Sequence, residues 1–424
     1  MSTFQPVRGM RDILAEDAQV LNYVIAKARE TAGLYGFKEV ITPVVEPFEL
    51  LSLKSGDEIR QRMFIFDDLG GRKVSLRPEF TASIARLVTT ALRNEPKPFR
   101  VFSVGSVYRY DEPQRGRYRE FWQANFELMG SSNPEADAEI ILLANSLLKT
   151  AGLEGYAIKL GHVGVLKGIM SQEGIDDKTQ NAILQKMDKK EYEAALALVA
   201  SEKCRNVIHG LIELNGTSPF DTVQKMQKQV QDYEKATASV ENLAAILKLV
   251  VESECEIQAV DPAFARGLEY YTGMIFELYV PQLEIALGGG GRYDRLIEAF
   301  GGEPTPAVGM AAGLDRIALA MQVQEIQLKT PQQKRVAVIS IKDEQKGEAL
   351  KIAQMLRHSG IWVEFEVMGR KMTKALEDAD KRRVHYAVII GERELKESKV
   401  VVKDLAKRTQ TQVEIARLAE KIKS

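Results

Sequence analysis

The feature that most constrains this chain is an apolar segment, residues 266–279, followed closely by four consecutive glycines. The segment reads RGLEYYTGMIFELY, and its aromatic and aliphatic second half predicts a β-strand beginning near Arg266. Because successive strand residues point to opposite faces, Tyr270 and Tyr271 should do different jobs, and one of them should line a pocket. The glycines at 288–291 let a backbone approach another group closely. A buried sheet edge followed by a flexible turn explains the same residues equally well.

Length and composition exclude several classes of protein. The 424 residues are 45% hydrophobic and 28% charged, which predicts a globular protein of about two to four domains. No apolar run reaches the roughly 18 residues that span a bilayer, and the first residues lack the apolar core of a secretory signal. The only cysteines, Cys204 and Cys255, are far apart and suggest neither a disulfide framework nor a paired-cysteine metal site. The sequence therefore predicts a cytoplasmic protein without a membrane partner.

The net charge of −1 conceals an uneven distribution along the chain. Residues 332–424 carry 21 Lys and Arg against 14 Asp and Glu, a net charge of +7, so residues 1–331 carry −8. A basic tail on an acidic body favours an anionic partner for the tail, such as a nucleic acid. A solvated basic face remains the alternative, and charge alone does not decide between them.

The first part of the chain predicts a helix, an edge strand and a hairpin. Residues 16–36 repeat apolar residues at helical spacing and end in glycine, which predicts an amphipathic helix. Residues 37–51 have strand character, but Pro43 and Pro47 each remove a backbone donor, so this strand belongs at an edge or an interface. Residues 62–77 predict a hairpin around a Gly-Gly turn.

Polar side chains are concentrated where a pocket would need them. Glu79 and Thr81 follow the hairpin at a strand exit, where a carboxylate and a hydroxyl suit an ammonium ligand; capping of the next helix is the alternative. Gln123, Asn125 and Glu127 share one face of the second strand in a strand–loop–strand unit. Burying such groups without partners is costly, so they predict a polar pocket floor. A sheet with one face in water is the alternative.

The second part of the chain predicts an insertion, a linker and a small separate domain. Residues 171–250 are rich in Lys, Gln, Glu, Ala and Leu and predict a helical insertion. Residues 306–321 predict a strand that turns into a helix, and 323–334 are polar like a linker. Beyond the linker, strands and helices alternate, which predicts an α/β domain with mixed or parallel strands. The sequence contains neither common glycine-rich phosphate loop, so ATP would bind without one.

Separated motifs, in the right order, resemble those of the class II aminoacyl-tRNA synthetases and of their histidyl-tRNA synthetase family. The three class motifs are similar to residues 36–47 (GFKEVITPVVEP), 107–127 (VYRYDEPQRGRYREFWQANFE) and 307–321 (AVGMAAGLDRIALAM). The family signatures are similar to residues 76–81 (LRPEFT), 266–273 (RGLEYYTG) and 289–294 (GGGRYD). A motif such as GLxR is weak alone, but the full set covers essentially the whole chain.

The resemblance implies a fold and a set of domains. The expected fold is an α+β catalytic domain with a mainly antiparallel class II synthetase sheet flanked by helices, a helical insertion and a small C-terminal α/β anticodon-binding domain. The implied boundaries are 1–170 and 253–325 for the two parts of the catalytic domain, 171–252 for the insertion, 326–334 for the linker and 335–424 for the anticodon-binding domain.

The resemblance also implies an activity. L-Histidine and ATP would give histidyl-adenylate and pyrophosphate, and the histidyl group would pass to the 3′ end of tRNA-His, with Mg²⁺ on the phosphate oxygens. No side chain is identified as a metal ligand. The family further implies a homodimer with the proline-containing edge strand at its interface. The alternative is a paralogous family without the anticodon-binding domain, which serves as a regulatory subunit of ATP phosphoribosyltransferase in histidine biosynthesis.

Site residues follow from the matching motif positions. By analogy with the family, the α-ammonium of histidine would be held by Glu79, Thr81 and Gln123. Its imidazole would be held by Glu127 together with Tyr270 or Tyr271, and the glycines near Gly289 and Gly290 would let the backbone approach it. A site that pairs both ring nitrogens rejects side chains lacking them, because its own polar groups would be left unsatisfied.

The remaining implied roles concern ATP. Arg266 and Arg109 would be catalytic, Arg266 facing the substrate carboxylate and the α-phosphate, and Arg109 gripping the α-phosphate. Arg316 would hold the far phosphates, and Arg117 would also contact ATP. Asp111 stands where the family usually has a Glu, so its expected contact with the adenine amino group is made by a shorter side chain. No general base is proposed.

Overall fold

The computed structural model describes residues 4–53, 57–214, 216–266, 270–328 and 334–423. The chain divides into two compact units, Met1–Leu328 and Lys329–Ser424. Residues 267–269 of the RGLEYYTG motif and residues 329–333 of the predicted linker lie outside the described residues.

The first unit is built on a central sheet and a small three-stranded sheet. Its strands are β1 (Lys38–Glu39), β2 (Val45–Pro47), β3 (Ile65–Asp67), β4 (Lys73–Leu76), β5 (Phe99–Tyr108), β6 (Glu120–Met129), β7 (Ala157–His162), β8 (Ala259–Val260), β9 (Met274–Tyr279), β10 (Gly288–Arg292) and β11 (Ala307–Gly313). Eight of them form the central sheet in the order β1-β5-β6-β11-β10-β9-β7-β8, and the small sheet has the order β2-β4-β3. The central sheet is mixed, because β1 with β5 and β7 with β8 pair in parallel while the pairs between them are antiparallel.

Helices cover this sheet and form the segment that was predicted to be an insertion. They are α1 (Ala15–Leu34), α2 (Phe48–Ser52), α3 (Asp57–Gln61), α4 (Thr81–Thr89), α5 (Pro134–Ala151), α6 (Val163–Gln172), α7 (Asp177–Asp188), α8 (Tyr192–Leu196), α9 (Glu202–Ile212), α10 (Pro219–Gln229), α11 (Glu234–Glu252), α12 (Leu296–Ala299) and α13 (Leu314–Val323). Their apolar faces and the central strands share one continuous buried core. No helix in the described ranges has both the length and the apolar character needed to cross a membrane.

Local sequence signals account for several of these elements. The predicted helix at 16–36 is α1, and the predicted hairpin is β3 paired antiparallel with β4. The prediction of one strand over 37–51 is wrong. The chain there forms the two-residue β1, the three-residue β2 and then α2, with Pro43 between the strands and Pro47 ending β2. The edge position was predicted correctly, since β1 and β2 each lie at the edge of their sheet.

A buried ion pair connects the glycine-rich strand to the helical layer. Arg292, at the end of β10, donates from Nε and Nη2 to Asp137 on α5 at 2.8–3.1 Å, and from Nη1 to Asp294 at 2.9 Å. Burial alone would lower the pKa of Arg292, but its hydrogen bonds with Asp137 and the attraction of both carboxylates raise that pKa instead. Arg292 of the GGGRYD motif is therefore a structural anchor for the end of β10.

The second unit is a small α/β domain with its own core. Its strands are β12 (Arg335–Ser340), β13 (Trp362–Phe365), β14 (Tyr386–Ile390), β15 (Lys399–Asp404) and β16 (Thr409–Glu414), and its helices are α14 (Lys346–His358), α15 (Met372–Lys381), α16 (Glu392–Lys396) and α17 (Leu418–Lys423). The strand order is β13-β12-β14-β15-β16, with parallel pairs at β12 and antiparallel pairs at β15. The predicted mixed α/β arrangement is confirmed. Strand β16 was missed because TQTQVE has almost no apolar residues and is largely exposed.

Candidate active site

One cavity of about 450 Å³ in the first unit gathers most of the predicted site residues. It is lined from β6, β9, β10 and β11, from the segment leading into α4, and from the loop between β5 and β6. Twelve of the thirteen predicted residues line it: Glu79, Thr81, Arg109, Asp111, Arg117, Gln123, Glu127, Arg266, Tyr270, Tyr271, Gly289 and Arg316. Gly290 is the exception. Residues far apart in the sequence therefore meet in a single cavity.

The most connected group in the cavity is the carboxylate of Glu127 on β6. Thr81 Oγ1 donates to its Oε1 at 2.7 Å, Asn125 Nδ2 donates to the same oxygen at 2.6 Å, and the Tyr293 hydroxyl donates to Oε2. Burial raises the pKa of Glu127 to about 7, against the three hydrogen bonds, which lower it. Thr81 and Glu127, both predicted to bind the substrate, therefore contact each other, with Thr81 as the donor.

Glu79 and Gln123 form the neighbouring part of the floor. Burial raises the pKa of Glu79, while attraction from Arg109 and a 3.3 Å hydrogen bond from the Tyr270 hydroxyl oppose the rise. Oε1 of Gln123 is buried and has no hydrogen-bond partner among the described residues. A buried acceptor without a donor carries a desolvation cost that a ligand N–H would remove. This corner of the cavity is suited to a cationic donor.

The same cavity is also lined by cationic groups, the arginines Arg109, Arg117, Arg266 and Arg316. Arg316 donates from Nε to Gly116 O at 3.1 Å and from Nη1 to Ala286 O at 2.7 Å. Burial, together with repulsion from Arg117, Arg109 and Arg266, lowers its pKa to about 10. The guanidinium groups are therefore held close enough to repel one another, an arrangement that an anionic ligand would relieve.

Arg109 and Arg117, two of the other three arginines, have different surroundings. Arg109 donates from Nε to Pro78 O at 2.9 Å. Nε of Arg117 is buried and has no hydrogen-bond partner among the described residues. Asp111 accepts a 3.1 Å ion pair from Nη1 of Arg62, which also lines the cavity. Arg62 was not predicted, because nothing in the local sequence indicates that it lies beside Asp111.

The tyrosines correct a prediction. Tyr270 and Tyr271 were expected to point to opposite faces of a strand, but β9 begins only at Met274 and both side chains line the cavity. Their ring centroids are 5.0 Å apart, and the ring of Tyr293 is 5.6 Å from that of Tyr270. The alternation argument fails because these two residues are not in a strand. Tyr293, which was not among the predicted site residues, donates its hydroxyl to Glu127.

The glycines make room for protein side chains. A Cβ built on Gly289 would lie 2.2 Å from Nη1 of Arg266, and one on Gly309 would lie 1.7 Å from Oε2 of Glu127. A Cβ on Gly290 would lie 2.1 Å from Gly309 O, in the neighbouring strand. Gly290 therefore serves close strand packing, whereas Gly289 and Gly309 clear space for two charged groups of the cavity.

Three other polar residues were not assigned roles from the sequence. Asn125 was recognised on the polar face of β6, and its hydrogen bond to Glu127 follows from the i, i+2 spacing on a strand. Tyr293 belongs to the GGGRYD motif, which was the available signal for it. Glu277 on β9 forms a 2.9 Å ion pair with Arg266 and had no sequence signal. Across the described part of the chain, no group of three or more His, Cys, Asp or Glu side chains is placed to hold a metal ion.

Comparison with known proteins agrees with this geometry. Residues 9–317 match the family model described as Histidyl-tRNA synthetase, and residues 335–424 match the model described as Anticodon binding domain. A curated relative, the Histidine--tRNA ligase of Methanocaldococcus jannaschii, is 39% identical over 407 residues, covering 95% of each chain.

Two solved structures extend the comparison. The apo histidyl-tRNA synthetase of S. aureus is similar with a TM-score of 0.77 and 25% identity over 100% of both chains. A structure from Bacillus halodurans, described as an ATP phosphoribosyltransferase regulatory subunit/histidyl-tRNA synthetase, has a TM-score of 0.76 and 26% identity over 89% of this chain and 97% of its own.

Proposed function

The chain belongs to the histidyl-tRNA synthetase family, and we propose that it joins L-histidine to tRNA-His in two ATP-dependent steps. ATP and histidine give histidyl-adenylate and pyrophosphate, and the histidyl group then passes to the 3′ end of the tRNA. The alternative, a regulatory subunit of ATP phosphoribosyltransferase, has less support. The curated relative at 39% identity is a histidine–tRNA ligase, and residues 335–424 match an anticodon-binding model.

One observation carries the proposal: a single cavity is lined both by buried carboxylates, Glu79 and Glu127, and by a cluster of arginines. Free histidine brings a cationic ammonium and a neutral, hydrogen-bonding ring, whereas ATP brings a polyanionic chain. Buried Glu79 and Glu127 suit the first, and the mutually repelling Arg109, Arg117 and Arg316 suit the second. The cavity therefore fits both substrates of an amino-acid activation reaction side by side.

We assign the α-ammonium of histidine to Glu79 and Gln123, with Thr81 beside it. The unpartnered Oε1 of Gln123 supports this assignment, because an ammonium N–H would satisfy it. The imidazole is assigned to Glu127, which accepts three protein hydrogen bonds and retains acceptor capacity for an N–H of the ring. Tyr270 and Tyr271 are assigned to the surroundings of the imidazole, and Gly289 lines the cavity with them.

Of the arginines, Arg109 and Arg266 are assigned to the α-phosphate, and Arg316 and Arg117 to the rest of the nucleotide. Attack of the histidine carboxylate on the α-phosphorus breaks the bond to pyrophosphate and spreads negative charge over the α-phosphate oxygens. A guanidinium already fixed at that place stabilises this charge without reorganising. Asp111 is assigned to the adenine amino group, although its ion pair with Arg62 makes it a shared acceptor.

Mg²⁺ is proposed as a companion of ATP. Since the described side chains form no metal-binding group of their own, the ion would be held mainly by phosphate oxygens and would screen their charge. The fixed arginines do the orienting, and none of their assigned contacts depends on the ion.

The remaining parts of the proposal concern the rest of the chain. We assign residues 1–170 and 253–325 to catalysis, 171–252 to a helical insertion, 326–334 to a linker and 335–424 to the anticodon of the tRNA. A homodimer is proposed through the region of β1 to β3, because Ile41, Val45 and Phe66 expose 91%, 43% and 44% of their surface. A cytoplasmic location is proposed with it.

The test is ATP–pyrophosphate exchange with each of the twenty amino acids in turn. The wild type should exchange with histidine alone, and Arg266→Ala should lose at least about a hundredfold, which corresponds to about 2.7 kcal/mol of barrier. Arg93→Ala, which removes an exposed arginine that does not line the active-site cavity, is the matched control and should behave as the wild type. If no amino acid supports exchange, the proposal fails and the regulatory function takes its place.

A further inference from the structure

Glu277 lines the cavity, and the proposed function gives its carboxylate no role. It lies on β9, a strand inside the central sheet, and lines the cavity together with Arg266. Nη1 of Arg266 lies 2.9 Å from Glu277 Oε1 and donates to Phe276 O at 3.3 Å. Both acceptors belong to β9, so one nitrogen of the guanidinium is attached to a strand that neighbouring strands hold on both sides.

The strand beside it is shaped to receive the same nitrogen. Gly289 on β10 is paired directly with Glu277. A Cβ at Gly289 would lie 2.2 Å from Nη1 of Arg266 and 3.2 Å from Cγ of Glu277. Two features that are independent of each other, a carboxylate on one strand and a missing side chain on the next, therefore converge on one guanidinium nitrogen.

Arg266 differs in this respect from Arg316 and Arg109, two other arginines assigned to ATP. Their hydrogen bonds go to backbone carbonyls, which are neutral. Arg266 contacts a carboxylate in addition to the carbonyl of Phe276. Burial is the largest single effect and would lower the pKa of Arg266, but attraction from Glu277, together with smaller contributions from Tyr271, Asp188 and Tyr270, raises that pKa overall. A carboxylate is an unusual partner for a cation that must face a phosphate, because it offsets part of the useful charge; its benefit has to be geometric.

The geometry leaves the catalytic edge of the guanidinium available. Nη1 makes both contacts to β9, and no hydrogen bond from Nε or Nη2 to a described residue is present. Holding one nitrogen fixes the plane of the whole group, since guanidinium is rigid. The other nitrogens are then oriented before any ligand arrives.

We propose that Glu277 is a positioning residue for amino-acid activation, which fixes Nη1 of Arg266 above Gly289 so that the rest of the guanidinium faces the reacting α-phosphate. The inference rests on the proposed function, since it assigns Arg266 to that phosphate. Glu277 itself touches neither substrate. Its contribution should therefore appear in kcat, and only through Arg266.

A double-mutant cycle in histidine-dependent ATP–pyrophosphate exchange tests this relation. Glu277→Ala should lower kcat by about 30-fold, with the KM for ATP and histidine changed by less than about threefold. Glu277→Gln keeps an acceptor oxygen at the same reach and should recover to within about fivefold of the wild type. Adding Glu277→Ala to Arg266→Ala should cause no further loss, because the residue acts through an arginine that is already absent.

Controls separate this result from general damage. Glu139→Ala removes the carboxylate of another 2.9 Å Glu–Arg ion pair, Arg100–Glu139, outside the cavity, and should leave kcat unchanged. Thermal unfolding of each variant checks the fold. If Glu277→Ala does not fold, Glu277→Asp takes its place in the cycle, since it keeps the charge but withdraws the carboxylate by one methylene.

Two outcomes would overturn the inference. Wild-type kcat in a folded Glu277→Ala or Glu277→Asp would show that Arg266 needs no anchor. Equal losses from the Glu277 substitution with and without Arg266 would show that Glu277 acts independently of it. A wild-type enzyme without histidine-dependent exchange is a different failure, that of the proposed function.

Discussion

Substitution of one glycine should test the assignment of the histidine ring. Gly309 on β11 is paired with Glu127 on β6. In Gly309→Ala the new Cβ would lie 1.7 Å from Oε2 of Glu127, 2.6 Å from its Cδ and 2.7 Å from Phe126 O. Backbone and carboxylate both crowd the methyl group, and the carboxylate is the part that can rotate away. It would then leave the Tyr293 hydroxyl and the position assigned to the imidazole.

The size of the effect follows from the bonds that are lost. A hydrogen bond to a charged group contributes about 1.5–3 kcal/mol, and the ring N–H bond to Glu127 is of that kind. Since about 1.4 kcal/mol is a factor of ten, kcat/KM for histidine should fall by about 10- to 150-fold. The KM for ATP should change little, because the contacts assigned to ATP are made by other residues and do not include Glu127. Both are measured by histidine- and ATP-dependent pyrophosphate exchange.

A matched glycine provides the control. Gly33 lies in the last turn of α1, and a Cβ there would have no atom within 4 Å. Gly33→Ala should keep wild-type kinetics and gain up to about 0.5 kcal/mol of stability, because alanine favours the helix. Wild-type kcat/KM for histidine in a folded Gly309→Ala would refute the assignment of Glu127 to the ring.

Two further predictions concern pH and stability. With the Glu127 pKa raised to about 7, kcat/KM for histidine should fall as the pH drops through 7, because the ionised carboxylate is the stronger acceptor for the ring N–H. Asn125→Ala removes a hydrogen bond that lowers this pKa, so the midpoint should move upward while the titration of free histidine stays the same; an unchanged midpoint would contradict the scheme. Asp137→Ala leaves Arg292 buried without its main partner and should lower the free energy of unfolding by about 3 kcal/mol. Glu139→Ala, in a more exposed pair, should cost no more than about 1 kcal/mol. Urea unfolding followed through Trp122, in a Trp362→Phe background, measures both, and equal effects would refute the reasoning.

Features that depend on local sequence were predictable here. The apolar period of 16–36 predicted α1, and the Gly-Gly turn predicted the β3–β4 hairpin. The alternation in β6 correctly placed Gln123 and Glu127 on one face, with both lining the cavity. Each of these signals lies within about twenty residues, so the chain around it decides the outcome.

Features that depend on which strands become neighbours were not predictable in the same way. Glu277 meets Arg266 because the guanidinium of Arg266 lies against β9, and Tyr293 meets Glu127 because β11 lies between β10 and β6. Strand β16 shows the complementary limit: an exposed edge strand needs no apolar face, so TQTQVE carries no hydrophobic pattern.

The glycines depend both on the local sequence and on which strands become neighbours. Their number was visible in the sequence and suggested a close approach, but the approaching groups are Arg266 at Gly289 and Glu127 at Gly309. Each of these charged side chains lies against a neighbouring strand at a glycine, where the Cβ of any other residue would collide with it. The sheet can therefore hold a cation and an anion near one another in the same cavity only because two strands lack side chains at these points. A chain that kept the charges but replaced these glycines would keep the motif residues and lose the arrangement, which is why the glycine substitution tests the site more directly than removal of the charges themselves.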